Sequence, residues 1–172
     1  MNLYLAPVVF SNTQLLDRIL ITLQGTFKTP VNKITLSIDT DSLYSHERRQ
    51  YYSTGFIEQS ISQTAHLDGK IIIMTELDIY VPVLTFLFGE AQLNGKHSIV
   101  SIFRLHEEFY SGVTNNELLF ERTIKEVYHE LGHNIGLIHC PNWDCVMHSS
   151  NSIEQVDLKG NTYCKNCNVL QS

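Results

Sequence analysis

His129, Glu130 and His133 stand in the order His-Glu-x-x-His, and Gly136 and His139 follow at three-residue steps. Histidines at i and i+4 of a helix lie one above the other, so both imidazoles can reach one ion at roughly 2.0–2.1 Å. Glu130, adjacent to the first of them, is then placed beside the metal rather than on it. Gly136 sits where a helix commonly stops on a residue with positive φ, and the sharp turn this permits would return His139 to the same ion as a third ligand. Three protein ligands leave a fourth position for water, the open arrangement of a catalytic zinc. The expected chemistry is hydrolysis, with Glu130 as general base and then acid. The alternative is a chance His-Glu-x-x-His on a solvated helix face. The glycine, the third histidine and a helical pattern that aims the ligands off the core weigh against it.

Cys140, Cys145, Cys164 and Cys167 form C-x4-C and C-x2-C pairs, a spacing suited to one tetrahedral zinc held by four thiolates. Such a site has no room for water. Its expected role is structural, tying the loop that carries His139 to the C-terminal segment. Two disulfides, or unrelated buried thiols, are the alternatives.

From His129 through His139 to Met147 the chain resembles the metzincin zinc peptidases. The order His139-Cys140, Cys145, Met147, Cys164, Cys167 resembles one branch of them, the archaemetzincins. That family pattern has about seventeen residues between the methionine and the C-x-x-C pair; here residues 148 to 163 supply sixteen. The stretches Asp78 to Pro82 and Phe88 to Ala91 also look familial. The resemblance implies a zinc peptidase acting on peptide or protein substrates, with one catalytic and one structural zinc ion and with Met147 in a turn beneath the catalytic metal. Some metzincins carry a tyrosine two residues past that methionine; Ser149 stands there in this chain. His148 is left without a role.

The histidines need a helix. One is expected from Glu117 to about Asn134, capped by Asn116, with Ile124, Val127, Leu131 and Ile135 as its core-facing stripe. Ahead of it, Leu3 to Phe10 reads as a strand, and Ser11 or Asn12 as the cap of a helix bearing Leu16, Leu20 and Leu23. Val31 to Ile38 alternates as a second strand, Ile57, Ile61 and Ala65 mark a helix over Tyr51 to Ala65, and Lys70 to Thr75 reads as a buried third strand. Pro82 argues for a loop before an edge strand. Gly89 to Leu93 and Ser98 to Phe103 flank Asn94-Gly95, which favours a two-residue hairpin turn. Gly89, Glu90, Ala91 and Gln92 are candidates for the cleft rim, where an extended peptide pairs with a strand edge; an ordinary paired strand is the alternative. Tyr80, Val81 and Leu84 are candidate pocket residues or plain core. Past Gly136 the pattern is irregular until a short helix over Asn161 to Leu170.

The expected fold is mixed α/β and, by the resemblance, metzincin-like. It has a twisted, mostly parallel sheet with an antiparallel edge strand, two backing helices including the one that bears the histidines, and a small irregular C-terminal subdomain. Residues 1–172 read as a single domain, with 1–136 and 137–172 as its two parts. Of the 172 residues, 43% are apolar and 17% charged, a composition that can bury a core without help from metal. The net charge of −6, with no long basic run, argues against nucleic acid or anionic membranes as partners. No stretch approaches the roughly 20 apolar residues of a membrane span, and Met1 to Phe10 lacks the basic start of a secretory signal. A cytoplasmic monomer is expected. Two rivals remain open: a zinc-stabilised peptide-binding module with little turnover, and an amidohydrolase of small molecules.

Overall fold

A computed structural model describes residues 1–168. The chain opens with strand β1 (Leu3–Pro7), helix α1 (Thr13–Phe27) and β2 (Val31–Lys33), followed by the short strands β3 (Tyr44–Ser45) and β4 (Gln50–Tyr52). Helix α2 (Ser53–Ile61) leads into β5 (Lys70–Thr75), β6 (Ile79–Tyr80), β7 (Gly89–Ala91) and β8 (His97–Ser101). Helices α3 (Glu108–Ser111), α4 (Asn116–Asn134) and α5 (Ile153–Leu158) complete the order.

The main sheet runs β2-β1-β5-β8-β7. All its pairings are parallel except β7 with β8, so the one antiparallel strand is the edge. Strand β5 is central, and its run Ile71-Ile72-Ile73-Met74 is fully buried because both of its faces are covered. Ile72 and Met74 face α1 and α4. Ile71 and Ile73 meet Phe56 and Ile57 of α2 on the other side. The mixed sheet with its antiparallel edge, and α1 and α4 as backing helices, is therefore the architecture expected. No helix among the described residues is long and apolar enough to cross a membrane.

Several bounds differ from expectation. The second strand stops at Lys33. Beyond one further bond, from Ile34 N to Leu5 O (2.9 Å), the alternation of Ile34, Leu36 and Ile38 records burial against the α2 cluster without a ladder. Helix α2 begins only at Ser53 because Gln50–Tyr52 pairs with β3 and β6 in a second, three-stranded sheet. Ile61 is exposed and lies off the packed face. The hairpin strands are shorter than predicted, with residues 92–96 between them. Gln92 folds back there, its side-chain oxygen taking the His97 N–H, and Asn94 N donates to His133 O of α4 (2.8 Å). Asn115, not Asn116, caps α4. Residues 161–168 are not helical: Thr162 O pairs with Val146 N, and the chain turns between Cys164 and Cys167. The last part of that predicted helix lies outside the described residues. The C-terminal helix is instead α5.

Candidate active site

Helix α4 is amphipathic, yet both its faces are buried. Val127 and Leu131 pack into the sheet-side core. His129 and His133 project from the opposite face, which leads off the sheet-side core, as expected, but not into open solvent, and Glu126 and Glu130 lie on the flank between the two faces, Glu130 against Gly89. His129 and Glu130 are 6% and 4% exposed, because Val146, Met147 and Val156 of the C-terminal segment cover the helix there. Sequence periodicity sees one helix at a time and cannot register this second cover.

The end of α4 explains how the third histidine arrives. Gly136 has φ +95°; its N–H donates to His133 O and that of Leu137 to Gly132 O, both at 2.9 Å. This paired capping satisfies carbonyls of the last turn and requires a left-handed residue at 136. The chain reverses, and the rings of His129, His133 and His139 come together with centroids 4.7, 5.3 and 5.0 Å apart.

The hydrogen bonds of the first two rings set their tautomer. His129 Nδ1 lies 2.8 Å from Val146 O and His133 Nδ1 2.8 Å from Leu137 O. A carbonyl only accepts, so each Nδ1 carries the proton and each Nε2 presents a lone pair. Those two Nε2 atoms are 3.1 Å apart. Two lone pairs at that distance repel unless an electrophile lies between them, and one ligand atom from each of the three histidines falls within 4.8 Å of the others. Burial pushes His129 down to about 4 and lowers His133 and His139 as well. That keeps the rings neutral, the form that ligates metal. The three histidines fit a metal ion.

Glu130 is buried beside them. Desolvation, with the charges of Glu126 and Glu90 nearby and opposed by Lys159, holds its carboxyl well above the usual range. The triad and Glu130 line a cavity of about 570 Å3, walled on one side by residues 84–91 and on the other by Ser149, Ser150, Asn151 and Lys159. Gly89 lies against Glu130 so closely that a Cβ there would sit 2.6 Å from Oε1.

Of the four candidate rim residues, Gly89, Glu90 and Ala91 line this cavity and Gln92 does not. The Glu90 carboxylate is engaged by the hydroxyls of Ser53 and Thr54 at the start of α2, so it anchors β7. Leu84 is in the wall, whereas Tyr80 and Val81 are outside it. The wall is held from behind. Arg48 donates to the carbonyls of Leu84 (2.8 Å) and Pro82 (3.0 Å), and Gln50 donates to that of Thr85 (2.9 Å). Asp78, in the stretch noted for its familial look, takes both arms of Arg104 at 2.8 Å.

The Sγ atoms of Cys140, Cys145, Cys164 and Cys167 lie within 4.8 Å of one another, and all four thiols are free. Cys140 and Cys164 Sγ are 3.9 Å apart, close to the edge of about 3.8 Å in a tetrahedron with 2.3 Å bonds. Burial raises the Cys145 and Cys167 thiols; at Cys164 burial also raises, but backbone N–H groups of Cys167 and Asn166 and neighbouring thiols outweigh it and bring it to about 7. A thiolate cage fits this set, so the cysteine cluster, like the triad, could hold a metal. Cys140 N donates to Met147 O, and His148 Nδ1 to Cys140 O, both at 2.9 Å, joining the cluster to the strip beneath α4. Met147 is fully buried under Gly132. His148 stacks on Trp143, with centroids 3.8 Å apart, and stays outside the cavity.

Sequence reasoning overlooked Glu126, Ser150 and Lys159 in the cavity wall. Glu126 was within reach, since it lies at i−3 and i−4 from His129 and Glu130 and so neighbours both on the helix surface. Lys159 follows the last helix in a stretch without periodicity, and nothing local points it at α4.

Comparison with known proteins gives concordant matches. The model of peptidase family M54 matches residues 3–171. The archaemetzincin of Thermococcus kodakarensis is 44% identical over 128 residues, which cover 73% of this chain and 68% of that protein. Among solved structures, archaemetzincin from Archaeoglobus fulgidus, complexed with malonate, is similar with a TM-score of 0.81 at 32% identity, covering 99% of each chain. A zinc-dependent peptidase from Methanocorpusculum labreanum has a TM-score of 0.84 at 25% identity, covering 99% of this chain and 100% of that one.

Proposed function

The chain belongs to the archaemetzincins, peptidase family M54, and on that premise we propose that it hydrolyses peptide bonds at the cavity below β7, with His129, His133 and His139 holding a catalytic zinc and Glu130 moving the proton. One observation carries this reading: two imidazoles with Nδ1 engaged turn their Nε2 lone pairs on one point, beside a buried carboxyl and a third imidazole, inside an accessible cavity. A zinc ion there supplies a Lewis acid that polarises the amide carbonyl and acidifies water.

The chain's own groups do the rest. Glu130 takes a proton from the attacking water as its oxygen bonds the carbonyl carbon. It delivers that proton to the departing nitrogen as the C–N bond breaks, so no covalent link to the protein forms. The carbonyls of Val146 and Leu137 keep two ligand rings in the required tautomer. Gly136 and Met147 support the site from the helix end and from below. The edge of β7 over Gly89, Glu90 and Ala91 offers main-chain pairing to an extended substrate. Cys140, Cys145, Cys164 and Cys167 hold a second, structural zinc, which anchors the loop carrying His139. In this reading residues 1–136 and 137–172 are the two parts of one catalytic domain that acts as a monomer in the cytoplasm.

The test compares new N-termini released from a peptide library by the zinc-loaded protein and by its Glu130→Gln variant. The variant is expected to retain two zinc equivalents and lose turnover by at least about a hundredfold. Normal turnover in the metal-replete variant would remove Glu130 from the mechanism.

A further inference from the structure

Glu126 stands one turn before Glu130 on the same face of α4. Lys159, just past the end of α5, reaches it with Nζ 2.7 Å from Oε1, its own side chain 0% and that of Glu126 5% exposed. Apart from this charge contact, Lys159 Nζ and Glu126 Oε1 have no hydrogen-bond partner among the described residues, and neither has the buried Oγ of Ser150. All three residues line the cavity that contains the histidine triad. An ammonium has three donors and a hydroxyl one, so the wall of this cavity holds more buried hydrogen-bonding capacity than the fold uses. Buried polar groups in folded proteins are matched, by protein, water or ligand.

We propose that Lys159, Glu126 and Ser150 form a side-chain subsite of the cleft that takes a primary carboxamide, a glutamine or asparagine of the peptide substrate. This rests on the peptidase reading above. The lysine and glutamate neutralise each other, so the subsite has no net charge to offer an ion. A substrate carboxylate would face Glu126, and a substrate ammonium would face Lys159. A hydrocarbon side chain would displace water and leave the three polar atoms unmatched. A carboxamide matches both signs: its oxygen accepts from Lys159 and Ser150, and its NH2 donates to Glu126. Sites built to hydrogen-bond a substrate group discriminate against analogues that lack it far better than apolar pockets discriminate by size.

The test uses the full-length, zinc-loaded protein and peptides that differ only at the positions flanking the scissile bond, carrying Gln, Asn, Glu, Lys or Leu. At one of those positions kcat/KM for Gln or Asn is expected to exceed that for Glu and Leu by at least tenfold, mainly through KM. In Ser150→Ala and in Lys159→Met the ratio of the Gln to the Leu peptide should fall towards one. Ser150→Ala keeps the test sound if the lysine variant does not fold. Equal rates for Gln, Glu and Leu, or a preference for Leu, would overturn the subsite and leave the peptidase reading standing. If no peptide is cleaved, the peptidase reading fails. The subsite is then read by calorimetric binding of the same peptides to the Glu130→Gln variant, where tenfold tighter binding of the Gln peptide supports it and equal or absent binding overturns it.

Discussion

Gly89 of the edge strand touches Glu130 of the active-site helix: a Cβ built at Gly89 would lie 2.6 Å from Oε1 and 2.8 Å from Cγ of the glutamate. Glycine is needed here for close approach, since only a residue without a side chain lets the strand that walls the cleft lie on the carboxylate. Wall and carboxylate are therefore placed by one contact. Gly89→Ala should push either β7 outward or the carboxylate aside. A misplacement of about 1 Å costs on the order of a hundredfold in rate, and that is the expected loss in kcat/KM. Zinc content should stay at two equivalents. Loss of metal with the activity would mean that the contact supports the ligands rather than the base.

The four-cysteine cluster and His139 are neighbours in sequence, and Cys140 is tied by backbone to Met147. Removing one thiolate should therefore act on both sites. Cys164→Ser is expected to lose one zinc equivalent, lower the melting temperature by at least about 5 °C and weaken zinc binding at the triad. His139→Ala should lose the other equivalent and melt close to the unaltered protein. Metal analysis with thermal melts of both variants decides this; two zinc ions and an unchanged melt in Cys164→Ser would refute the coupling.

The hairpin that carries β7 has its own titratable group. His97 of β8 is buried, with Nδ1 3.1 Å from Gln92 Oε1 and Nε2 2.7 Å from Thr64 Oγ1. Burial, helped by the charge of Lys96, lowers its pKa from 6.5. The folded state therefore binds this proton less readily than the unfolded chain. The stability it contributes is complete above about pH 6.5 and is lost as the pH falls from there through the lower folded value. Between pH 7 and 5 the zinc-loaded protein should lose stability faster than its His97→Gln variant. Parallel denaturation midpoints across that range would show that the ring titrates normally.

Local signals were readable from the residues alone. Gly136 gives the helix its stop, the run at residues 71–74 reads as a strand covered on both faces, and the periodicity of α4 puts two histidines on one face. What escaped depends on partners far along the chain. The two- and three-residue strands of the small sheet are too short for any period. The alternation over residues 34–38 has no ladder because α2, not a strand, covers it. Lys159 meets Glu126 across 33 positions, and Glu90 meets Ser53 and Thr54 across 37 and 36. Such pairs are set by how helices and strands stack, which no window of sequence contains.

Gly132, between the two helical histidines, offers the sharpest test of what lies beneath the site. A Cβ there would fall 2.2 Å from Met147 Sδ and 3.0 Å from its Cε. Methionine is flexible, but Met147 is fully buried, so its end has little space to swing into. In an open helix, Gly→Ala stabilises by about 1 kcal/mol. Here overpacking should reverse the sign, and Gly132→Ala should destabilise by about 1–3 kcal/mol. Met147→Ala alone should cost about 2–5 kcal/mol through the cavity it leaves. Because the new methyl group would occupy part of that cavity, the double variant should be more stable than the sum of the two losses by about 0.5–3 kcal/mol. Denaturant unfolding of the four zinc-loaded proteins measures this coupling. Strict additivity, or a stabilised Gly132→Ala, would show that Met147 does not press against the helix between the two histidines.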